Sequence, residues 1–132
     1  MPDSPEIPGP ADVRRTILLA EDDDATAEVT AEIISELGYR VVVARNGLEA
    51  IALAHQHRPN LILMDIQMPK MDGLTATRAL KQDPATALIP VICLTAFAMD
   101  QIVARCRDAG AIMHVSKPVD FDHLAQILEQ YS

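Results

Sequence analysis

The chain has 132 residues, 49% of them hydrophobic but only 3% aromatic, so one domain is expected, its core built from Leu, Ile, Val and Ala. The formal charge is −8 with Lys and Arg scattered, which argues against nucleic acid as a ligand, because binding a phosphate backbone needs a basic face. No apolar run approaches ~20 residues and no basic-then-apolar leader opens the chain, so no membrane span or export is expected.

Residues 1–15, "MPDSPEIPGPADVRR", hold four prolines without periodicity and read as a flexible Pro-rich tail; residues 16–132 read as the folded domain. "TILLA" is a short apolar strand ended by "EDDD". Ala25, Val29, Ile33 and Leu37, with Ile34 beside them, then recur at helical spacing up to Gly38. "YRVVVA" is the second strand. Asn46 caps a helix carrying Leu48, Ile51, Ala52 and His55, which runs out before Pro59. "LILMD" is the third strand, and Asp72 caps a helix through Leu80 that Asp83-Pro84 breaks. "PVICLTA" is the fourth strand, followed by a helix from about Met99 to Ala109 with Gly110 as its stop. "AIMHV" is the fifth. Asp120 caps a last helix whose Leu124, Ile127, Leu128 and Tyr131 fall on one face.

Repeated strand-then-helix units predict an α/β protein: a doubly wound, five-stranded parallel sheet with helices on both faces. The flavodoxin-like member of this class has strand order 2-1-3-4-5, and its site lies beyond the carboxyl ends of strands 1 and 3. The continuously apolar strands 1, 3 and 4 suit the centre of such a sheet. That placement accounts for an odd feature of "LILMDIQMP". A carboxylate is costly to bury among apolar residues, but Asp65 is the last residue of strand 3, at the open edge.

Other polar groups converge there. Strand 1 ends in Glu21-Asp22-Asp23-Asp24, strand 4 in Thr95-Ala96, and strand 5 runs into Lys117-Pro118. Clustered carboxylates repel one another until a cation relieves them. Oxygen-only ligands at a wet edge favour Mg²⁺. Lysine and threonine facing a carboxylate beside that ion are the parts of a phosphoryl-transfer site, and carboxylates do act as nucleophiles that form aspartyl phosphates.

Blander roles cover other residues. Asp23 and Asp24 read as cap and dipole partners of the first helix. Counted from Asp22, an EF-hand frame puts Ala27 at its glycine position and Ile33 at its final glutamate, so that reading fails. Cys93 and Cys106 read as small core residues, which fits a reducing, cytoplasmic location. His55 and His57, two apart on a helix, diverge and make no metal pair. His123 reads as a helix-surface residue. Met64, Met68, Met71 and Met99 read as gap-fillers around the pocket, and Pro69 as a fixed turn after Asp65.

"ILLAEDD", "LILMDIQMPKMDG", "LTA" and "SKP" together resemble the signature blocks of the bacterial response-regulator receiver domain, in the right order and spacing from about Thr16 to Ser132. The resemblance implies that Asp65 accepts a phosphoryl group from a histidine kinase or phosphotransfer protein. It implies that Asp22 and Asp65 hold Mg²⁺ directly, Glu21 through water, and Gln67 by its main-chain carbonyl. Thr95 and Lys117 would bond the phosphoryl oxygens, and the small Ala96 lets its N–H approach them. "TAFAM" with "SKP" is most similar to single-domain and hybrid-kinase receivers, without a DNA-binding output domain. A downstream partner would then read the face of the fourth helix, fifth strand and fifth helix, through a switch made by Thr95 and His114. Two positions depart from the commonest pattern: His114 stands where Tyr or Phe is usual, and Phe97 is bulky where many relatives are polar.

Other functions fit less well. An aspartyl phosphatase needs a second acid two residues after its nucleophile, and Gln67 is there instead. A flavin protein of the same sheet order needs a phosphate loop after strand 1, where "EDDDATAE" would repel phosphate. A receiver reduced to a binding module would have lost some signature side chains, and all are present.

Overall fold

The structure is a computed structural model that describes residues 14–96 and 99–132. Its elements alternate as β1 (Thr16–Ala20), α1 (Asp24–Glu36), β2 (Arg40–Ala44), α2 (Gly47–His57), β3 (Leu61–Asp65), α3 (Gly73–Gln82), β4 (Val91–Thr95), α4 (Asp100–Ala109), β5 (Met113–Ser116) and α5 (Phe121–Tyr131). All pairings are parallel and the order is β2-β1-β3-β4-β5, as expected from the sequence. Residues 1–13, most of the expected tail, lie outside the described residues, as does Phe97.

The register sorts side chains by parity, because successive residues of a strand point to opposite faces. Ile17, Leu19, Leu61, Leu63, Ile92, Leu94 and Val115 pack against Ile34 of α1 and Leu124, Ile127 and Leu128 of α5. On the other face Leu18, Ala20, Ile62, Met64 and Val91 meet Ala50 and Ala54 of α2 and Ala76 and Leu80 of α3. Cys93 packs there with Cys106 and Ala109 of α4. Each fully buried aliphatic side chain is worth about 1.5–3 kcal/mol relative to exposure, so both faces must be covered for the sheet to persist.

Helix starts follow local chemistry. Asp23 accepts from the Thr26 N–H at 2.9 Å, Asn46 from Glu49 at 2.9 Å, Asp72 from Thr75 at 2.8 Å and Asp120 from His123 at 2.7 Å. Each satisfies a first-turn donor that has no partner within its helix. α4 starts after Met99 with no side-chain cap.

Helix faces follow packing instead, and two expectations are corrected. In α1 the buried residues are Ala27 and Ile34, while Val29 is 61% exposed. In α2 they are Gly47, Ala50 and Ala54, while Leu48 is 52% exposed and Ala52 and His55 face outward. Ala20 and Ala44 on the sheet form one cluster with Ala50 and Ala54, a small-on-small contact that a hydrophobicity pattern hides. β5 begins at Met113 rather than Ala111, because Ala111 still bonds back to Cys106 of α4 beyond the Gly110 turn. Met99 is also corrected: it is 62% exposed and fills no gap. Cys93 and Cys106 are both free and buried, and burial pushes the Cys93 thiol far up.

Candidate functional site

The site is the next row above one face of the sheet. Ile17 and Leu19 lead to Glu21, Leu61 and Leu63 to Asp65, and Val115 to Lys117, all on the α1–α5 side. Leu19 is level with Leu63, so Glu21 and Asp65 come side by side as their strands end. Thr95 ends β4 with the opposite parity, level with Ser116, and its carbonyl accepts the Lys117 N–H at 2.8 Å. The Lys117–Pro118 peptide is cis.

Glu21 and Asp65 are 1% and 5% exposed, Thr95 is buried, and Asp22 stands open to water. Lys117 joins the two buried acids, with Nζ 2.8 Å from Glu21 Oε1 and 3.4 Å from Asp65 Oδ2. Its nearer partner is therefore Glu21, which also accepts the Asp23 N–H at 3.2 Å. Sequence reasoning paired Lys117 with Asp65 and missed this contact. The available signal was arm length, since a glutamate level with an aspartate reaches one methylene further across the edge.

The acids divide the charge unequally. Burial, and then the Glu21 charge, push the Asp65 carboxyl up to about 7 despite Lys117. Burial also opposes ionisation of Glu21, but bonds from Lys117 and the Asp23 N–H outweigh it and hold that carboxyl below the usual range. Burial opposes the charge on the half-buried Lys117, but Glu21 and Asp65 outweigh it and hold the ammonium above the usual lysine value. Of the two buried acids, Asp65 is thus the one that takes up a proton first as pH falls.

A pH dependence follows. Between the ordinary aspartate value of 3.8 and about 7, the folded chain keeps a proton that the unfolded chain has released. Stability therefore falls as pH rises across that window. Above its ordinary value of 4.5 Glu21 is ionised in both states, so most of the window belongs to Asp65, joined near neutrality by the exposed His55, which the Ile51 carbonyl and Asp83 hold above its ordinary 6.5. In metal-free buffer, chemical denaturation should show wild type losing on the order of a few kcal/mol between pH 4.5 and pH 8. Asp65→Asn should lose most of that slope and keep only the share that His55 adds near neutrality, and an equal slope in both chains would contradict the charge distribution.

One oxygen from each of Glu21, Asp22 and Asp65 lies within 4.8 Å of the others, and among the described residues no other group of three comes together in this way. All three donors are carboxylate oxygens, and a hard divalent cation would relieve the repulsion that adds to burial in raising the Asp65 carboxyl, so the set fits Mg²⁺. Ala96 and Gln67 are exposed in the loops that follow β4 and β3. His114 is not at this cluster. It is half-buried beside α4, level with Cys93, on the face to which Thr95 also belongs. A feature unforeseen from the sequence is an apolar crevice of about 330 Å³ that runs from Glu21 and Lys117 down between α1 and α5, past Ala25, Val29, Ile33, Pro118 and Val119. Nothing local in the sequence marks it, beyond a valine on the wrong side of a helix.

Fold and site together define a flavodoxin-like α/β protein with an acidic, lysine-bridged cluster at the switch point of its sheet. The chain belongs to the response-regulator receiver domain family, whose model matches residues 17–129. It is 39% identical to the polar-differentiation response regulator DivK of Brucella anthropi, over 89% of this chain and 95% of that one. The receiver domain of the sensor histidine kinase PA1611 from Pseudomonas aeruginosa, with a magnesium ion coordinated in its active-site cleft, superposes with a TM-score of 0.84. The match is 33% identical and covers 89% of this chain and 97% of that one. A CheX–CheY–BeF₃–Mg²⁺ complex from Borrelia burgdorferi gives a TM-score of 0.79 at 26% identity, over 86% of each chain. Receiver domains are signalling switches of two-component systems, and this chain is one of them. No helix among the described residues is long and apolar enough to cross a membrane.

Proposed function

We propose that this receiver takes a phosphoryl group onto Asp65 from a histidine kinase or histidine phosphotransfer protein, with Mg²⁺ as its cofactor. The observation that carries the reading is Asp65 itself, a buried strand-end carboxyl within 3.4 Å of an ammonium and beside two further acids. With its proton released to solvent, one Asp65 oxygen attacks phosphorus, the bond from phosphorus to the donor imidazole nitrogen breaks, and its electron pair leaves with the imidazole, which takes up a proton. Lys117 and the Thr95 hydroxyl meet the oxygens of the moving group, and the Ala96 N–H approaches them. Glu21, Asp22, Asp65 and the Gln67 carbonyl would hold Mg²⁺, which supplies charge neutralisation at the phosphoryl oxygens. In this reading the chain catalyses its own phosphorylation and dephosphorylation. The crevice below Lys117, with Val29 at its rim, gives a donor protein apolar surface to bury next to the reacting carboxylate. Two buried free thiols suit a cytoplasmic location.

The test is to mix the full chain with phosphorylated histidine kinases of its own organism, with Mg²⁺ or with EDTA. Rapid Mg²⁺-dependent transfer from one kinase is expected. No transfer from any of them, and none from acetyl phosphate, would overturn the reading.

The proposed output is the face of α4, β5 and α5, reached from Asp65 through Thr95 and His114. A phosphoryl group adds charge and acceptor oxygens, and Thr95 moves towards them. Thr95 and His114 lie on the same face of the sheet by register, so His114 can follow into the space beside α4. An imidazole is smaller than the usual aromatic at this position, which gives weaker coupling. Beryllofluoride with Mg²⁺ should therefore shift α4–β5–α5 amide resonances less in wild type than in His114→Tyr, and least in His114→Ala. Equal shifts in all three chains would make His114 a spectator.

A further inference from the structure

The segment between β3 and α3 follows Asp65 directly and carries Gln67. Three backbone bonds fix its path. The Gly73 N–H donates to the Ile66 carbonyl at 2.9 Å and closes the ends of the segment. The Met71 N–H donates to the Pro69 carbonyl at 2.6 Å, around Lys70 with its left-handed φ of 66°. The third bond comes from elsewhere in the chain: the Gly47 N–H, at the start of α2, donates to the Met71 carbonyl at 2.8 Å.

We infer that Gly47 is a positioning residue for the Asp65 site, because the first turn of α2 braces the segment that carries Gln67. A first-turn N–H has no partner within its own helix, and the positive end of the helix dipole favours an oxygen there. The Met71 carbonyl supplies that oxygen. The approach is close enough to exclude a side chain. A Cβ on Gly47 would stand 2.5 Å from the Met71 oxygen and 2.8 and 2.9 Å from its Cγ and Cβ. α2 cannot easily retreat, since Asn46 caps it and Ala50 and Ala54 are fully buried against the sheet. The Met71 carbonyl is the side that yields, and it takes the segment with it. A helix that contributes no side chain to the acidic cluster thereby sets where the Gln67 carbonyl stands.

The inference rests on the proposed Mg²⁺ site, so its test needs one readout that uses metal and one that does not. The full chain is compared as wild type, Gly47→Ala and Gly38→Ala. Gly38 has φ 98° and nothing within 4 Å of its would-be Cβ, so alanine there strains the chain without touching the segment. Calorimetric titration with Mg²⁺ alone should give about a tenfold weaker Kd in Gly47→Ala. Amide exchange without metal should show protection lost at Gly47, Met71 and Gly73. Gly38→Ala should melt lower yet keep both properties. If Gly47→Ala is too unstable to purify, the double variant Gly47→Ala, Met71→Gly removes the two side-chain contacts, keeps the carbonyl one and carries the same readouts. Unchanged protection in the Gly47 variant, or equal losses in Gly38→Ala, would overturn the inference. A wild type that bound no Mg²⁺ would overturn the metal site, while amide exchange would still decide whether the brace exists.

Discussion

Asp65→Asn should keep the fold and lose acyl-phosphate labelling by acetyl phosphate, with a fall in rate of at least about three orders of magnitude. Asparagine preserves shape but offers no anionic oxygen to attack phosphorus. Removal of the repulsion from Glu21 should leave metal-free stability equal to or above that of wild type, since burial and that charge are what push Asp65 up to about 7. The comparison therefore separates chemistry from folding: activity disappears while the melting temperature holds or rises. Labelling of the variant at the wild-type rate would remove Asp65 from its role, and attention would pass to Glu21, the other buried acid within reach of Lys117.

The second large effect concerns Asp22. It is the exposed member of the three acids, so it is well suited to hold a partly hydrated cation. Asp22→Ala should weaken Mg²⁺ binding by about ten- to a hundredfold and slow labelling in step. Excess Mg²⁺ should restore part of the rate, because Asp65 and Lys117 remain in place. That partial rescue distinguishes loss of a ligand from loss of the nucleophile, which no metal concentration repairs. An unchanged Mg²⁺ titration would mean that the cluster is not a cation site.

What could be read in advance divides along a physical line. Asp23, Asn46, Asp72 and Asp120 could be assigned as caps because a cap bonds an N–H three residues away, within reach of pattern reasoning. The strand ends could be assigned because five apolar runs each stop at a polar residue, and parallel packing brings those stops to one edge. The face of α5 could too, from Leu124, Ile127 and Leu128, but those of α1 and α2 could not. In α2 the burial of Ala50 and Ala54 in place of Leu48 is decided by how closely the helix backbone can approach alanines on the sheet. The bond from Lys117 to Glu21 had only a faint signal, the extra methylene of the glutamate. It joins residues 96 apart in sequence, and which acid the lysine prefers depends on side-chain length across strand ends. The contact of Gly47 with Met71 is backbone to backbone, so no side-chain pattern encodes it.

The two buried thiols give the chain a reporter of its own opening. Cys93 and Cys106 are its only cysteines, they lie on β4 and α4 behind the switch face, and the chain has no tryptophan to report on folding. A maleimide reacts with thiolate, and neither sulfur meets solvent while β4 and α4 are packed. The modification rate therefore counts how often that half of the sheet lets go of its helix. Measured with and without a phosphoryl mimic, it gives the free energy with which the occupied site tightens or loosens α4, with no label introduced and no partner needed.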